Sequence, residues 1–508
     1  LPLLASTDGG ADLTRALRTR SAPRPKLVHD ASGAWSCSGG GAERSRLPRT
    51  LVALALLLCP GCSTSHERPD DGGSSDAGRE PDVDGGSSDA GLERDATTLG
   101  PDAGPPEDPC GGGIRLSPDG VQSAWLADLV ADERGGLVAT FETFDGVRAE
   151  ARIVTYQPRA GWGASSSLDF GSAERAAHVI ADVGGGRLAL AWVEHTIDRD
   201  PLASDDFARN VFATSRAGGS GFDPPTALDG PEQAAEHDVA VDATGRVTVA
   251  WEQPGLASVV ARRFDPTSGW GAHTVLAAGS GARFPRLVAS GDETTAVWIE
   301  DAGSEARAVW ARTWARGSWG APVRLDDGTD VGPDHAQSLE VAGDGAGVVL
   351  VAWGGDAVFV AERDPVLGWR AQRVGAREPD ETGPRTLRVA LGASVGSADV
   401  AWAADIADRA TAIHVAHAER GATTVWEPPV FLGTTERSLA VVHAIDGSVV
   451  WAQRRLVVAH RERGSWTATT IGDDLVDGAR IARDGSGETW ILFSALTDEG
   501  SVLCATRS

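Results

Sequence analysis

The sequence predicts an all-β fold, an eight-bladed β-propeller, on three observations. A glycine-to-aromatic unit recurs along most of the chain. Each copy spans about 50 residues and carries four strand-like segments, the size of a propeller blade. The last copy lacks one strand, and the start of the repeat region supplies it.

The unit is a glycine, an apolar run and an aromatic six positions on. Gly186 leads to Trp192 (GRLALAW), Gly245 to Trp251 (GRVTVAW), Gly347 to Trp353 and Gly396 to Trp402. Weaker copies end at Phe141, Trp298, Trp451 and Phe493. The alternation has period two and predicts half-buried strands. A second unit follows each first one: an apolar strand, a turn ending near Gly-Trp, and a short strand. VVARRFDPTSGWGAHTVL around Trp270 and AVWARTWARGSWGAPVRL around Trp319 show it. Trp162, Trp369, Trp426, Trp466 and Phe222 mark the other copies. An alternating segment such as HDVAVDA from His237 precedes each first unit. These segments make strands A to D.

The eighth copy has strand A near Ala479–Arg483, B near Glu488–Phe493 and C near Ser501–Thr506, with no D after it. Ile114-Arg115-Leu116 matches Val323-Arg324-Leu325 of a D strand, and its addition closes the ring and removes both open edges. Seven blades is the alternative if the irregular first repeat packs differently. The tryptophans recur once per blade and are expected to pack between sheets, with Trp310 and Trp314 as an exposed patch.

The predicted propeller covers 114–508. Upstream, 62–113 is rich in Asp, Gly, Ser and Pro, and DGGSSDAG occurs at 71–78 and again at 84–91. Such composition cannot bury enough apolar area to offset its ordering entropy and predicts a disordered tether. Residues 44–61 pair Arg44, Arg46 and Arg49 with an apolar run from Leu51 to Leu58, the layout of a secretory signal. Residues 1–43 show no sustained periodicity and are expected to be a disordered leader or an over-extended start. The formal net charge of −26 leaves no basic surplus, so nucleic acid is not an expected partner. The apolar run is too short to span a bilayer.

The segment RSRLPRTLVALALLLCPGC resembles a bacterial lipoprotein signal. That resemblance implies acylation of Cys62, a cell-envelope location at the outer membrane, facing the periplasm or the surface, and contact with the membrane through the lipid alone. Signal removal then discards Cys37 and Cys59 and leaves Cys110 and Cys504, an even pair in an oxidising compartment. A disulfide between them is expected, because ring closure brings both to the last blade. Aligning blade eight on blade four sets Cys504 opposite about Gly113, so Cys110 must fold back through Gly111, Gly112 and Gly113.

Strand C, an Asp-containing turn, Gly, Trp and strand D resemble a degenerate Asp-box, the BNR-type repeat of sialidase-like propellers. Asp265…Gly269-Trp270 and Asp364…Gly368-Trp369 come nearest. The resemblance implies a propeller, and a sialidase would use an arginine triad and a tyrosine nucleophile. Arg175, Arg283, Arg286, Arg385, Arg388, Arg437 and Arg480 fall near strand-A entries, with His178, His237 and His335 among them. Guanidinium groups converging from several blades bind a carboxylate or sulfate bidentately; the alternative is pairing with Glu174, Glu236, Asp238, Asp334 and Glu436. The sole tyrosine, Tyr156, falls on outer strand C of the first blade. The long acidic loop 194–208 and the Asp-x-Asp-Gly fragments of the tether are where Ca²⁺ would bind; no cofactor or metal is otherwise expected. The reading is a monomeric, envelope-anchored, non-catalytic module for a glycan or an envelope protein. The alternatives are a glycan-processing enzyme, sialidase-like or lyase, and a structural scaffold.

Overall fold

A computed structural model divides the chain into two compact units, Leu1–Ala96 and Thr97–Ser508. In the first it describes one antiparallel pair, Leu27–His29 with Trp35–Cys37, inside the segment expected to be a structureless leader. In the second it describes 108–508 apart from 146–148, 169–174, 196–208, 219, 230–233, 280, 302–306, 327–337, 356, 377–387, 407–409, 422–423, 437–440, 453–454, 473–475 and 498–499. No helix among the described residues is long and apolar enough to cross a membrane.

The second unit is an eight-bladed propeller. Each blade is an antiparallel sheet in the order A-B-C-D. The A strands are Ser123–Ala131, Arg175–Gly184, His237–Val241, Arg283–Ser290, Leu339–Gly343, Arg388–Ser394, Val441–Ile445 and Val476–Arg483. Consecutive A strands touch all the way round, including the eighth against the first, so they line the axis. Eight apolar clusters sit among the described residues, one between each pair of neighbouring blades. The cluster between blades 8 and 1 decides for eight blades in a closed ring.

The B strands depart from the expected half-burial. Leu188 to Val193 and Val247 to Trp251 are buried throughout. A blade is sandwiched between two others, so both faces of its second strand are interior. The alternation that marks these strands is therefore large against small, Leu-Ala-Leu-Ala-Trp, and not apolar against polar. Trp192, Trp251, Trp298 and Trp353 are fully buried, as packing between sheets requires. Trp310 and Trp314 do not form an exposed patch. Trp310 packs on the cluster between blades 3 and 4, and Trp314 lies under the Arg263 guanidinium, 4.7 Å from ring centre to Cζ.

The Gly-Trp pairs of the C–D turns have a backbone cause. Gly161, Gly269 and Gly368 take φ of 79°, 78° and 78°, a left-handed conformation that penalises a Cβ. Asp265 and Asp364 cap these turns: Asp265 Oδ1 accepts the N–H of Thr267, and Asp364 Oδ1 those of Val366 and Leu367.

Ile114–Arg115 is strand D of blade 8, beside Gly500–Arg507. Cys504 faces Arg115, two positions from the expected Gly113. Residues 108–113 form a turn in which Asp108 accepts the N–H groups of Cys110 and Gly112. Gly111 and Gly112 bend it with φ of 58° and 85°. Cys110 thereby reaches Cys504 in a disulfide, with Cα atoms 5.5 Å apart.

Candidate functional site

The site follows from register. In each blade one A-strand residue pairs with the B-strand residue just before the aromatic. Those residues are Asp128, Ile180, Asp238, Arg286, Glu340, Ala390, His443 and Arg480. They make one level of the axial ring, and six of the eight carry ionisable side chains. Asp182 lies two residues further along strand A of blade 2.

The acids are held by the main chain of the neighbouring blade. Asp128 Oδ1 accepts the N–H of Leu129 and Oδ2 that of Ala181, at 2.8 and 3.0 Å. Asp182 Oδ2 accepts Val241 N–H at 2.6 Å. Asp238 accepts Val239 N–H at 2.8 Å and Leu287 N–H at 2.7 Å. His443 Nδ1 accepts Ile481 N–H at 3.3 Å. Side chains of three acids and one imidazole thus stitch blade to blade at the axis.

Enclosure by protein dominates the ring's electrostatics. Burial pushes Asp182 and Asp238 up to about 7, against the pull of their N–H donors and, for Asp238, of Arg286. Asp128 and Glu340 are raised for the same reason, Asp128 opposed by Arg480 and Glu340 by Arg286 and Arg480. Burial, helped by Arg480, lowers His443 to about 3. Glu340 of blade 5 senses Arg480 of blade 8 and Asp128 of blade 1, so side chains from opposite blades converge on the axis.

Of the arginines read from sequence, Arg286 and Arg480 come together at this level, both acting on Glu340. Arg283 is directed elsewhere, with Nη2 2.8 and 2.9 Å from the two carboxylate oxygens of Asp301. Arg388 stands two residues from Ala390 on strand A of blade 6. Arg385, Arg437 and Cys62 lie outside the described residues, as does the Arg175 side chain. His237 is buried beside His178 and lowered to about 4, burial being the larger cause; His335 lies outside the described residues. Glu194 of the acidic loop is buried, and 196–208 lies outside the described residues. Among the described residues no cluster of three or more His, Cys, Asp or Glu is arranged to hold a metal.

Tyr156 is on strand C of blade 1, 2% exposed, against Trp490 at 4.7 Å and Trp162 at 5.4 Å. Its hydroxyl meets Asp484 of blade 8, well away from the ring.

Sequence reasoning missed Asp128, Asp182, Glu340 and His443. The signal was present as an ionisable residue inside an otherwise apolar innermost strand, as in SLEVA or VVHAI.

No family model matches the sequence, and no curated protein matches it. Among solved structures, the chain is similar to Trypanosoma rangeli sialidase in complex with 2,3-difluorosialic acid at 12% identity and TM-score 0.37, covering 78% of this chain and 56% of that one. It is also similar to a PL25 ulvan lyase at 11% identity and TM-score 0.38, covering 76% and 97%. A third is AofleA from Arthrobotrys oligospora, at 13% identity and TM-score 0.32, covering 55% and 83%. The propeller assignment rests on the eight sheets themselves.

Proposed function

We propose that the protein is an envelope-anchored lipoprotein whose propeller is a non-catalytic binding module for a glycan or an envelope protein, with the axial ring as its contact. The anchoring of the ring carboxylates carries this reading. Both oxygens of Asp128 and of Asp238 already hold main-chain N–H groups. Each oxygen keeps a lone pair to accept a ligand hydroxyl, and Arg286 and Arg480 supply donors. A general acid must take up and release a proton at such an oxygen, and here that disturbs a stitch between blades. The buried Tyr156 is no nucleophile for a sialidase-like reaction at the ring. The envelope address, with lipid at Cys62, belongs to the same proposal; a Cys110–Cys504 disulfide is in keeping with an oxidising compartment.

One observation favours the enzyme instead. Carboxyls near pKa 7, as at Asp182 and Asp238, suit proton transfer at neutral pH.

The test is a glycan array and a pull-down from envelope extract with the full chain, repeated with Glu340→Gln and Arg286→Ala. Each variant is expected to weaken binding about tenfold, the value of one hydrogen bond to a charged group, and bound glycan is expected back intact. Shortened or desialylated product would establish the enzyme reading. Undiminished binding by both variants would remove the ring from the site.

A further inference from the structure

The propeller carries a second cleft, independent of the ring, at the end bearing the A–B and C–D turns. We propose that this cleft, between blades 1 and 2, binds a small oxyanion carried on a sugar-sized, partly apolar body, held by Arg134 and Arg216.

The cleft has a volume of about 350 Å³ and is lined by Arg134, Val138, Tyr156, Arg187, Leu188 and Arg216 among others. That is large enough for a small ligand. Its carboxylates are already engaged. Asp132 Oδ1 accepts the N–H groups of Arg134 and Gly136 at 2.8 and 2.7 Å, closing its own A–B turn. Glu133 reaches into blade 2 and accepts the N–H groups of Gly185 and Gly186. Arg187 is engaged too, 2.7 Å from Ser215 Oγ and 3.6 Å from Asp223.

Arg134 and Arg216 differ from these. Among the described residues neither has a carboxylate within ion-pair distance. Arg216 lies over the Phe222 ring at 4.8 Å, a contact that leaves its N–H edge unspent, and burial lowers its pKa. Arg134 crosses from blade 1 to the C–D turn of blade 2, where a Cβ on Gly218 would stand 3.3 Å from its Nη2. Arg216 is two residues before that glycine. Two cations with unused donors therefore flank one cleft, and their mutual repulsion is relieved by an anion between them. Guanidinium donors match an oxyanion bidentately. Val138 and Leu188 provide an apolar floor for the ring that carries it.

Calorimetric titration of the full chain with sodium glucuronate, and with glucose as the neutral control, tests this. Glucuronate is expected to bind once per chain and more weakly as salt rises, while glucose releases no heat. Arg134→Ala and Arg216→Ala each weaken binding about tenfold, and Arg216→Lys recovers part of the loss with less change in packing. Arg159→Ala, an equal loss of charge on the adjoining exposed C–D turn, leaves affinity unchanged. Absence of glucuronate binding overturns the proposal, as does an equal loss in Arg159→Ala. Loss of the ring's ligand alone, with glucuronate retained, bears only on the axial reading.

Discussion

The junction between blades 3 and 4 and the junction between blades 8 and 1 do the same job by different means. The first is joined by continuous chain. Its turn face is held by Arg263 of blade 3, which is kept in place by a buried ion pair with Asp242 of the same blade at 3.1 Å, the base 12% and the acid 0% exposed. Arg263 also reaches Thr294 of blade 4 at 2.9 Å and covers Trp314. In the second the chain enters blade 1 from strand D of blade 8 alone, while strands A to C of that blade come from residues 476–507. This junction uses serine hydroxyls aimed at main chain far away in sequence. Ser501 Oγ accepts Ala124 N–H and donates to Ala124 C=O, both at 3.0 Å, and Ser494 Oγ accepts Leu126 N–H at 3.0 Å. Gly485 donates to Gly135 C=O, and a Cβ on Gly135 would stand 2.4 Å from the Gly485 Cα. A covalent bond then locks strand D of the last blade to its strand C. Where the chain does not connect strand C of a blade to its strand D, short polar contacts to backbone and a cross-link hold the blade in the ring, because loop-closure entropy is largest there.

The largest expected effect breaks the closing side. Cys504→Ser should lower unfolding stability by about 4 kcal/mol in the chain-entropy account of a long closed loop. Urea unfolding with and without dithiothreitol measures it: the reductant should bring the wild type down to the variant and leave the variant where it is. A wild type indifferent to dithiothreitol would sink the claim that the bridge holds the ring shut.

The interior side should respond to loss of its ion pair. Asp242→Ala leaves Arg263 buried without its carboxylate and is expected to cost about 3 kcal/mol. The Thr248 and Thr294 hydroxyls remain as partners for the guanidinium. Blade 3–4 amides should then exchange faster than those at blades 8 and 1. Uniform acceleration round the ring would show that the junctions are not separable.

The smallest effect lies at the axis that both junctions share, and it is a slope with pH. Asp182 and Asp238 titrate near 7 when folded, against about 3.9 unfolded. Between those values the folded state holds extra protons, so they make stability fall as pH rises. His237 and His443 sit near 4 and 3 when folded, against about 6.5 unfolded. There the unfolded state holds the extra protons, and stability rises with pH. From about pH 4 to 6.5 these two pairs offset, and the raised carboxyls of Asp128 and Glu340 add to the decline with pH. Relative to the wild type, Asp238→Asn should tilt the slope in this window toward a rise with pH, and His443→Asn toward a fall. Urea midpoints at pH 5 and 6.5 decide; unchanged slopes in both variants would contradict the assignment.

Much of this was legible in one dimension. The GRLALAW and GRVTVAW units, the Gly-Trp turns and the missing last strand specify blades, their number and the closing partner. They do so because period-two alternation of side-chain size and left-handed turns are local demands on residue type. Register was harder. Cys504 faces Arg115 and not Gly113, since strand offset in the last blade depends on how the turn from Asp108 packs. The ring shows the limit most plainly. Asp128, Asp238, Arg286, Glu340, His443 and Arg480 are spread over more than 350 positions and share no motif. Arg283 and Arg286 look alike in sequence, yet one pairs with Asp301 and the other joins the axis, because a bulge between them rotates the strand. The sequence by itself determined the repeating strand, its turns and its aromatic core, each set by neighbours a few residues away. Only the closed ring decided which charges meet, because their distance depends on the curvature summed over all eight blades.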